Sequence, residues 1–451
     1  MRLGLIAMSG VRVHDPELVS VGLTLPGFVE RGRTVASLPS LGLLTLAGLT
    51  PPAIDVEYIE VPDLAEIPDL PGHFDAVAIS TLSARCQDAY RLADRYRATG
   101  TLVILGGLHV TALPEEASQH ADAVVVGEGE PIWPQVVGDL VRGRLRPFYD
   151  ARPMPFDLHA APLPRFELLD LERYDRLTVQ TQRGCPYDCE FCAASIRLSP
   201  SYRVKPVEKV LSEVRHIRSL WADPYLELAD DNTFADRRHG KELLRALSRE
   251  GLRWFTETDV SVADDDELLG LMRDSGCTQV LIGLESPAGA GLAGVERHSD
   301  FKARRAAHQA EAIARVQAHG ISVIGCFVLG LDGTGPESFD SVLEFVESTG
   351  LHEVQVTLLT PFPGTPLYER LRREDRLLHD GEWERCTLFD VCFRPDRMTA
   401  EELRVGFRGL VQRLYDEEAV ARRRRRFREM LRASRSRHPD MRRRHHEHPS
   451  G

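Results

Sequence analysis

The sequence has no apolar run long enough to cross a bilayer, which excludes a helical membrane protein as the starting expectation. It also lacks the marks of a secretory leader. Arg2 alone precedes the apolar run Leu3–Met8, which is too short for a leader core and has no small-residue cleavage site after it. That run reads as a first buried strand, and the expected location is cytoplasmic, where thiols stay reduced. Cysteine is scarce, 8 in 451 residues, and spread too thinly for a disulfide framework. Basic charge is thin over most of the chain. Arg422–Gly451 holds 12 Lys and Arg against 3 acidic residues, which leaves a net −21 on the rest of a chain whose total is −12. An acidic body excludes the wide basic face that a nucleic-acid substrate needs. The basic end reads as a solvated, frayed terminus or as a contact for an acidic partner.

What is present is the balance of an ordinary globular protein, 43% hydrophobic and 27% charged, and 451 residues are too many for one core. Two α/β domains are expected. Over residues 1–145, strands at Arg2–Met8, Asp55–Val61, Ala76–Thr81, Leu102–Leu105 and Ala123–Val126 alternate with helices at Leu38–Leu49, Gln87–Thr99 and Trp133–Val141. This pattern predicts a Rossmann-like, doubly wound parallel sheet, with ligands at the carboxyl ends of its strands. Seven prolines between Pro131 and Pro164 predict an extended linker, set at 146–173. Over 174–395, six strands are expected at Leu177–Gln182, Leu226–Ala229, Trp254–Thr258, Gln279–Leu284, Ser322–Leu329 and Glu353–Leu359. Helices between them complete a partial (β/α)6 barrel with its chemistry at the strands' carboxyl ends. A charged helical segment over 396–437 and a disordered tail over 438–451 complete the chain.

The chemistry concentrates in Arg183-Gly-Cys-Pro-Tyr-Asp-Cys-Glu-Phe-Cys192, which spaces its thiols C-x3-C-x2-C directly after the first barrel strand. Thiolates suit iron–sulfur clusters and zinc. A closed zinc site wants four ligands, and no fourth lies nearby in sequence. Three cysteines on a cubane leave one iron open to a further ligand. The segment resembles the signature of the radical S-adenosylmethionine (SAM) superfamily. That resemblance implies a [4Fe–4S] cluster on Cys185, Cys189 and Cys192, with SAM on the open iron and reductive cleavage to a 5′-deoxyadenosyl radical. It further implies that Phe191 packs near the adenine and that Asp230 and Asp231, ending the second strand with Asn232, hold the SAM amino group. Glu257 and Thr258 end the third strand, and Glu285, ending the fourth, is placed at the ribose hydroxyls. Leu329 and Thr360, after the fifth and sixth strands, are placed against the adenine. Turn chemistry and solvated strand ends are the plainer explanation for any one of these polar residues.

The first domain resembles the cobalamin-binding domain that precedes the radical SAM core in one large subfamily. The resemblance rests on Leu38-Pro-Ser-Leu-Gly-Leu-Leu44, Ala78-Ile-Ser-Thr81, Leu105-Gly-Gly-Leu-His109 and Asp122-Ala-Val-Val-Val-Gly-Glu-Gly-Glu130. It implies cobalamin contacts from Ser80, Thr81, Gly106, Gly107, His109, Gly127 and Glu128. Glycines let the backbone approach a bulky corrin, and the hydroxyls can reach its nucleotide tail. The D-x-H-x-x-G motif that supplies a histidine to cobalt in many cobalamin proteins is absent, and His109 also reads as a satisfied loop histidine.

Among the remaining candidates, Cys86, Cys277 and Cys326 read as buried small hydrophobes. Cys386 and Cys392 are too few for an auxiliary cluster, and His445, His446 and His448 lie in the tail. Arg203 and Lys205 follow the cysteine loop, where they suit an anionic group or a solvated helix start. The family reading is a cobalamin-dependent enzyme that methylates an unactivated carbon of a small-molecule, lipid or natural-product intermediate. Its partners would be a small substrate and an electron donor such as flavodoxin or ferredoxin, with no nucleic acid. Radical cyclisation, ring contraction or oxidation without methyl transfer stay open, as does a non-catalytic cobalamin- or cluster-binding sensor. A tRNA methylthiotransferase fits poorly, because that family's leading domain carries its own cysteine set.

Overall fold

A computed structural model describes residues 1–12, 17–18, 34–35, 38–193, 201–287, 289 and 291–437. The tail expected over 438–451, with His445, His446 and His448, lies outside the described residues.

Period-two burial builds the first domain. In β1 (Arg2–Ala7), Leu3, Leu5 and Ala7 enter one core, and Ile6 enters another on the opposite face. The same split divides Ala76 and Ala78 from Val77 and Ile79 in β3 (Ala76–Ser80). With β2 (Asp55–Glu60), β4 (Leu102–Gly106), β5 (Ala123–Val126) and β6 (Phe148–Asp150), they form a parallel sheet in the order β2-β1-β3-β4-β5-β6. Both faces are covered. Helices α1 (Leu41–Leu49) and α3 (Trp133–Val141) share one core, and α2 (Cys86–Ala98) packs in the other. The sheet is therefore doubly wound, and its strand order reverses between β1 and β3, the position at which such sheets open a ligand crevice.

The sheet runs past the boundary expected at 145, because β6 adds a sixth strand by pairing with β5. Nor is the proline-rich stretch simply extended. Pro134 sits in the first turn of α3, where its missing N–H is not needed. Short 3-10 turns form at Leu158–Ala160, Phe166–Leu168 and Leu171–Arg173.

The second sheet is parallel and strictly sequential: β7 (Leu177–Val179), β8 (Tyr225–Leu228), β9 (Arg253–Thr258), β10 (Cys277–Glu285), β11 (Ser322–Leu329) and β12 (Glu353–Leu358). Strands β7 and β12 are its two edges and do not pair, so the barrel is open on that side. Beyond it, α4 (Ala400–Tyr415) starts at a capping box made by Thr399 and Glu402. It buries Leu403, Phe407, Leu410 and Leu414 in the barrel core. The basic α5 (Glu417–Arg437) docks as well, with Phe427 stacked 4.2 Å from the His352 ring. Among the described residues, no helix is long and apolar enough to cross a membrane.

Candidate active site between the two domains

After β7 the chain makes a two-residue antiparallel ladder, Gln182–Arg183 with Arg203–Val204, and turns at Gly184 (φ 83°) into Cys185. That left-handed position suits only glycine without strain. Cys189 is buried, and Cys185 and Cys192 are half-buried. The three thiols lie close enough to act on one another electrostatically. Burial, assisted by the neighbouring thiols, pushes Cys185 up to about 11 and Cys189 up to about 12, so protons stay on unless a soft cation displaces them.

Ion pairs brace the loop from outside. The Arg297 guanidinium donates to Asp188 at 2.9 and 2.5 Å, and Arg370 donates to Glu190 at 2.7 and 3.1 Å. Glu296 accepts from the amides of Ser299 (2.7 Å), His298 (3.2 Å) and Asp188 (3.3 Å). Although burial opposes ionisation, these bonds and the Ser299 hydroxyl hold the Glu296 carboxyl down at about 2.

The strand-end residues divide into organisers and residues that face open space. The Asp230 carboxylate is saturated: it accepts from Thr181 N (2.7 Å), Thr181 Oγ1 (2.5 Å), Gln182 N (3.1 Å) and Thr233 Oγ1 (3.0 Å). It fixes the segment that leads into the cysteine loop, and in this structure its oxygens are occupied by Thr181, Gln182 and Thr233. Thr258 is likewise committed, donating to Asn232 Oδ1 at 3.3 Å. Leu329 is packed in the barrel core, and the buried Thr360 hydroxyl donates to Leu358 O at 3.0 Å. Asp231 is exposed at the domain boundary. Glu257 is also solvent-accessible, yet the surrounding protein and the carboxylates of Glu227, Asp231 and Asp230 push it up to about 8. Phe191 is half-buried against the barrel core.

Glu285 has φ 61°, a left-handed conformation costly for a residue with a Cβ and typical of functional sites. Its carboxylate accepts from Lys302 Nζ at 2.6 Å, and Nζ also donates to Gly283 O at 3.0 Å. Burial alone would lower the ammonium's pKa, but Glu285 and the adjacent Cys189 raise it well above the ordinary value, so Lys302 is a fixed cation beside the cysteine loop. Sequence reasoning missed Lys302, which lies seventeen residues after Glu285 with no local signal.

A cleft with a cavity volume of about 320 Å³ opens at the carboxyl ends of β3, β4 and β5. Ser80, Gly106, Gly107 and Gly127 line it from the first domain, and Gln180, Arg183 and Asp231 from the barrel. Gly107 has φ 104°, and a Cβ there would lie 2.8 Å from Thr81 O and 3.1 Å from Ser80 Oγ. The cleft's polar wall is a cross-domain network. Arg183 donates to Glu128 (3.1 Å), Glu130 (2.7 Å) and Gln180 (2.9 Å), and Arg203 donates to Glu128 (2.5 Å). Phe156 N completes the shell of Glu128 at 2.7 Å.

Residues 179–346 match the model described as the radical SAM superfamily, and residues 34–137 match the B12 binding domain. Residues 365–448 match a domain of unknown function, DUF4070. The chain belongs to the radical SAM superfamily and carries an N-terminal B12-binding domain. Over 393 residues it is 28% identical to bacteriochlorophyllide d C-12(1)-methyltransferase of Chlorobaculum tepidum, covering 86% of this chain and 84% of the relative. It is 27% identical over 400 residues to the hopanoid C-2 methylase of Rhodopseudomonas palustris, covering 86% and 73%. The structure of TsrM from Kitasatospora setae, with cobalamin and a [4Fe-4S] cluster bound, shares the fold at TM-score 0.64 and 15% identity, over 96% of this chain and 99% of that one.

The cofactors of this radical SAM enzyme are a [4Fe–4S] cluster, SAM and cobalamin. Its residues fit them. The cysteine loop gathers three soft ligands, and the B12 domain offers a cleft whose floor a single Cβ at Gly107 would crowd. Two residues expected at cobalamin do not line this cleft. Thr81 is buried with its hydroxyl on Leu82 O at 3.0 Å and does not line the cleft. His109 is fully buried away from it, with Nδ1 3.2 Å from Ser83 Oγ and Nε2 3.1 Å from Glu116 Oε1. Glu128 does line the cleft, but its carboxylate is spent on the arginines. Arg203 is therefore an interdomain tie, and Lys205 is held by Glu213 at 2.7 Å.

Proposed function

We propose that this radical SAM enzyme methylates an unactivated carbon of a small-molecule, lipid or natural-product intermediate. The observation that carries the reading is that the two cofactor sites share a wall: Arg183, two residues before Cys185, lines the cleft of the B12-binding domain. The names of both relatives specify methylation at a carbon position, which supports carbon as the acceptor.

In this reading Cys185, Cys189 and Cys192 hold the cluster as thiolates, and Ser80, Gly106, Gly107 and Gly127 hold the corrin. When bound, these groups supply hydrogen abstraction from an unreactive carbon and transfer of a methyl group to it. The remaining work is positioning. Lys302 suits the SAM carboxylate, because a cation already fixed by Glu285 loses no side-chain freedom when an anion arrives. Asp231 and Glu257 are solvent-accessible and are the carboxylates assigned to the SAM amino group, with Asp231 steadied by the Gly184 amide; Asp230 is already occupied by its own hydrogen bonds. Phe191, half-buried against the barrel core, offers the apolar surface for the adenine. The Arg183 and Arg203 ties to Glu128 and Glu130 hold the domains in register, which keeps reacting groups at a fixed separation. The electron enters from a partner such as flavodoxin or ferredoxin.

The test is product analysis. Anaerobically reconstituted enzyme, given reductant, deuteromethyl-SAM and small-molecule extracts of its host, is expected to yield S-adenosylhomocysteine and 5′-deoxyadenosine together, with the label on a carbon-bound methyl group. 5′-Deoxyadenosine alone would instead support cyclisation, ring contraction or oxidation, and no SAM cleavage at all would support a sensor.

A further inference from the structure

The fold gathers a second set of metal-ligating side chains away from both cofactor sites. Cys86 opens α2, and His109 and Glu116 follow β4. Their ligand atoms all lie within 4.8 Å of one another, and Cys86 and His109 are fully buried. The short helix Trp383–Arg385, which follows the barrel, closes over this group. Its Trp383 Nε1 donates to Glu116 Oε2 at 2.9 Å, and Cys386 is close enough to act on the Cys86 thiol electrostatically.

We propose that Cys86, His109 and Glu116 bind one zinc ion inside the B12-binding domain, beneath the segment that follows the barrel. The donor set is one soft sulfur, one imidazole and one carboxylate, a combination that suits zinc. Loss of the Cys86 thiol proton on binding gives two anionic ligands, thiolate and carboxylate, which neutralise the dication in a buried place where net charge is costly. Two of the ligands already have an outer contact. Glu116 uses Oε2 for the Trp383 indole, while Oε1, now 3.1 Å from His109 Nε2, is the atom that would turn to a metal. His109 has Nδ1 on Ser83 Oγ at 3.2 Å, the arrangement that fixes the tautomer of a ligating histidine. The 3.1 Å between His109 Nε2 and Glu116 Oε1 is close to the roughly 3.3 Å that two ligands at about 2.0 Å take on a tetrahedral ion.

Tyr90 is 2% exposed, and its hydroxyl faces Glu116 and Cys86, so a buried polar group closes that side of the cluster.

The experiment measures zinc and iron together by mass spectrometry in full-length protein. His445, His446 and His448→Ala serve as background, so that the tail donates nothing. The wild-type site is expected to hold about one zinc per chain, and Cys185, Cys189 and Cys192→Ala to lose iron while keeping that zinc. Cys86→Ser and Glu116→Gln change one or two atoms each and are expected to cut zinc affinity about tenfold or more with iron unchanged. Zinc absorption-edge spectroscopy should find sulfur at about 2.3 Å. Zinc below about one tenth per chain, zinc retained in full by Cys86→Ser, or a sulfur-free shell would overturn the assignment and leave a purely hydrogen-bonded core histidine.

Discussion

Replacing Glu128 with Gln keeps the shape of the residue and removes the one charge that answers two arginines from the other domain. The Glu128 side chain is 6% exposed, Arg183 16% and Arg203 19%. Breaking a fully buried pair costs about 3–5 kcal/mol by leaving charge uncompensated. Here Glu130, 2.7 Å from Arg183, still answers one guanidinium, and partial exposure screens the other. The expected loss is therefore about 2–3 kcal/mol. For a unit of 150–250 residues, each kcal/mol moves the midpoint by about 2–4 °C, so scanning calorimetry at pH 7 should show a drop of about 4–12 °C. The pH dependence gives an independent check. Burial raises the Glu128 carboxyl, but its bonds to Arg203 and Phe156 N and the charge of Arg183 outweigh that and leave it below the usual 4.5. A depressed carboxyl stabilises fully above its unfolded value, and that stability is lost as pH falls through the folded value. The gap between wild type and variant should therefore be constant near neutrality and close on acidification below about pH 4.5. A midpoint shift of less than about 1 °C at pH 7, or a gap that widens in acid, would refute the network as an interdomain tie.

Three other substitutions probe separate parts of the site. Cys185→Ser should abolish iron incorporation and SAM cleavage while cobalamin still binds, read by iron content and by the cobalamin spectrum of the protein after gel filtration. Gly107→Val meets Thr81 O and a left-handed φ together, so cobalamin affinity should fall about tenfold or more at unchanged iron content, measured by titration. Lys302→Met removes the fixed cation, and the SAM dissociation constant should rise about tenfold, equivalent to about 1.4 kcal/mol; an unchanged constant would move the SAM carboxylate elsewhere.

Much of the architecture was legible because both sheets are parallel and buried on two faces, so their strands stand out as short apolar runs between helices. Strand β6 was not legible: three residues between prolines carry no period, and only pairing with β5 defines them. The cysteine loop announced itself by spacing. The residues around it did not, because their roles are set by what folds onto them. Asp230 and Asp231 are adjacent carboxylates with the same chemistry, yet one is consumed by Thr181, Gln182 and Thr233 while the other faces the cleft. His109 follows a Gly-Gly turn that points toward cobalamin in sequence. Ser83 and Glu116, seven to twenty-six residues away, turn it into the core instead. Cys86, read from sequence as a buried small hydrophobe, is indeed fully buried in the core of the first domain.

Arg183 belongs to two places at once. Its guanidinium forms part of the cleft wall, and its main chain continues through Gly184 into the first cysteine. Any ligand that favours one setting of that side chain changes the free energy of the other site by the same amount in both directions. If the two sites are coupled through that side chain, cobalamin changes SAM affinity by the same factor that SAM changes cobalamin affinity, and reciprocal titrations measure that factor.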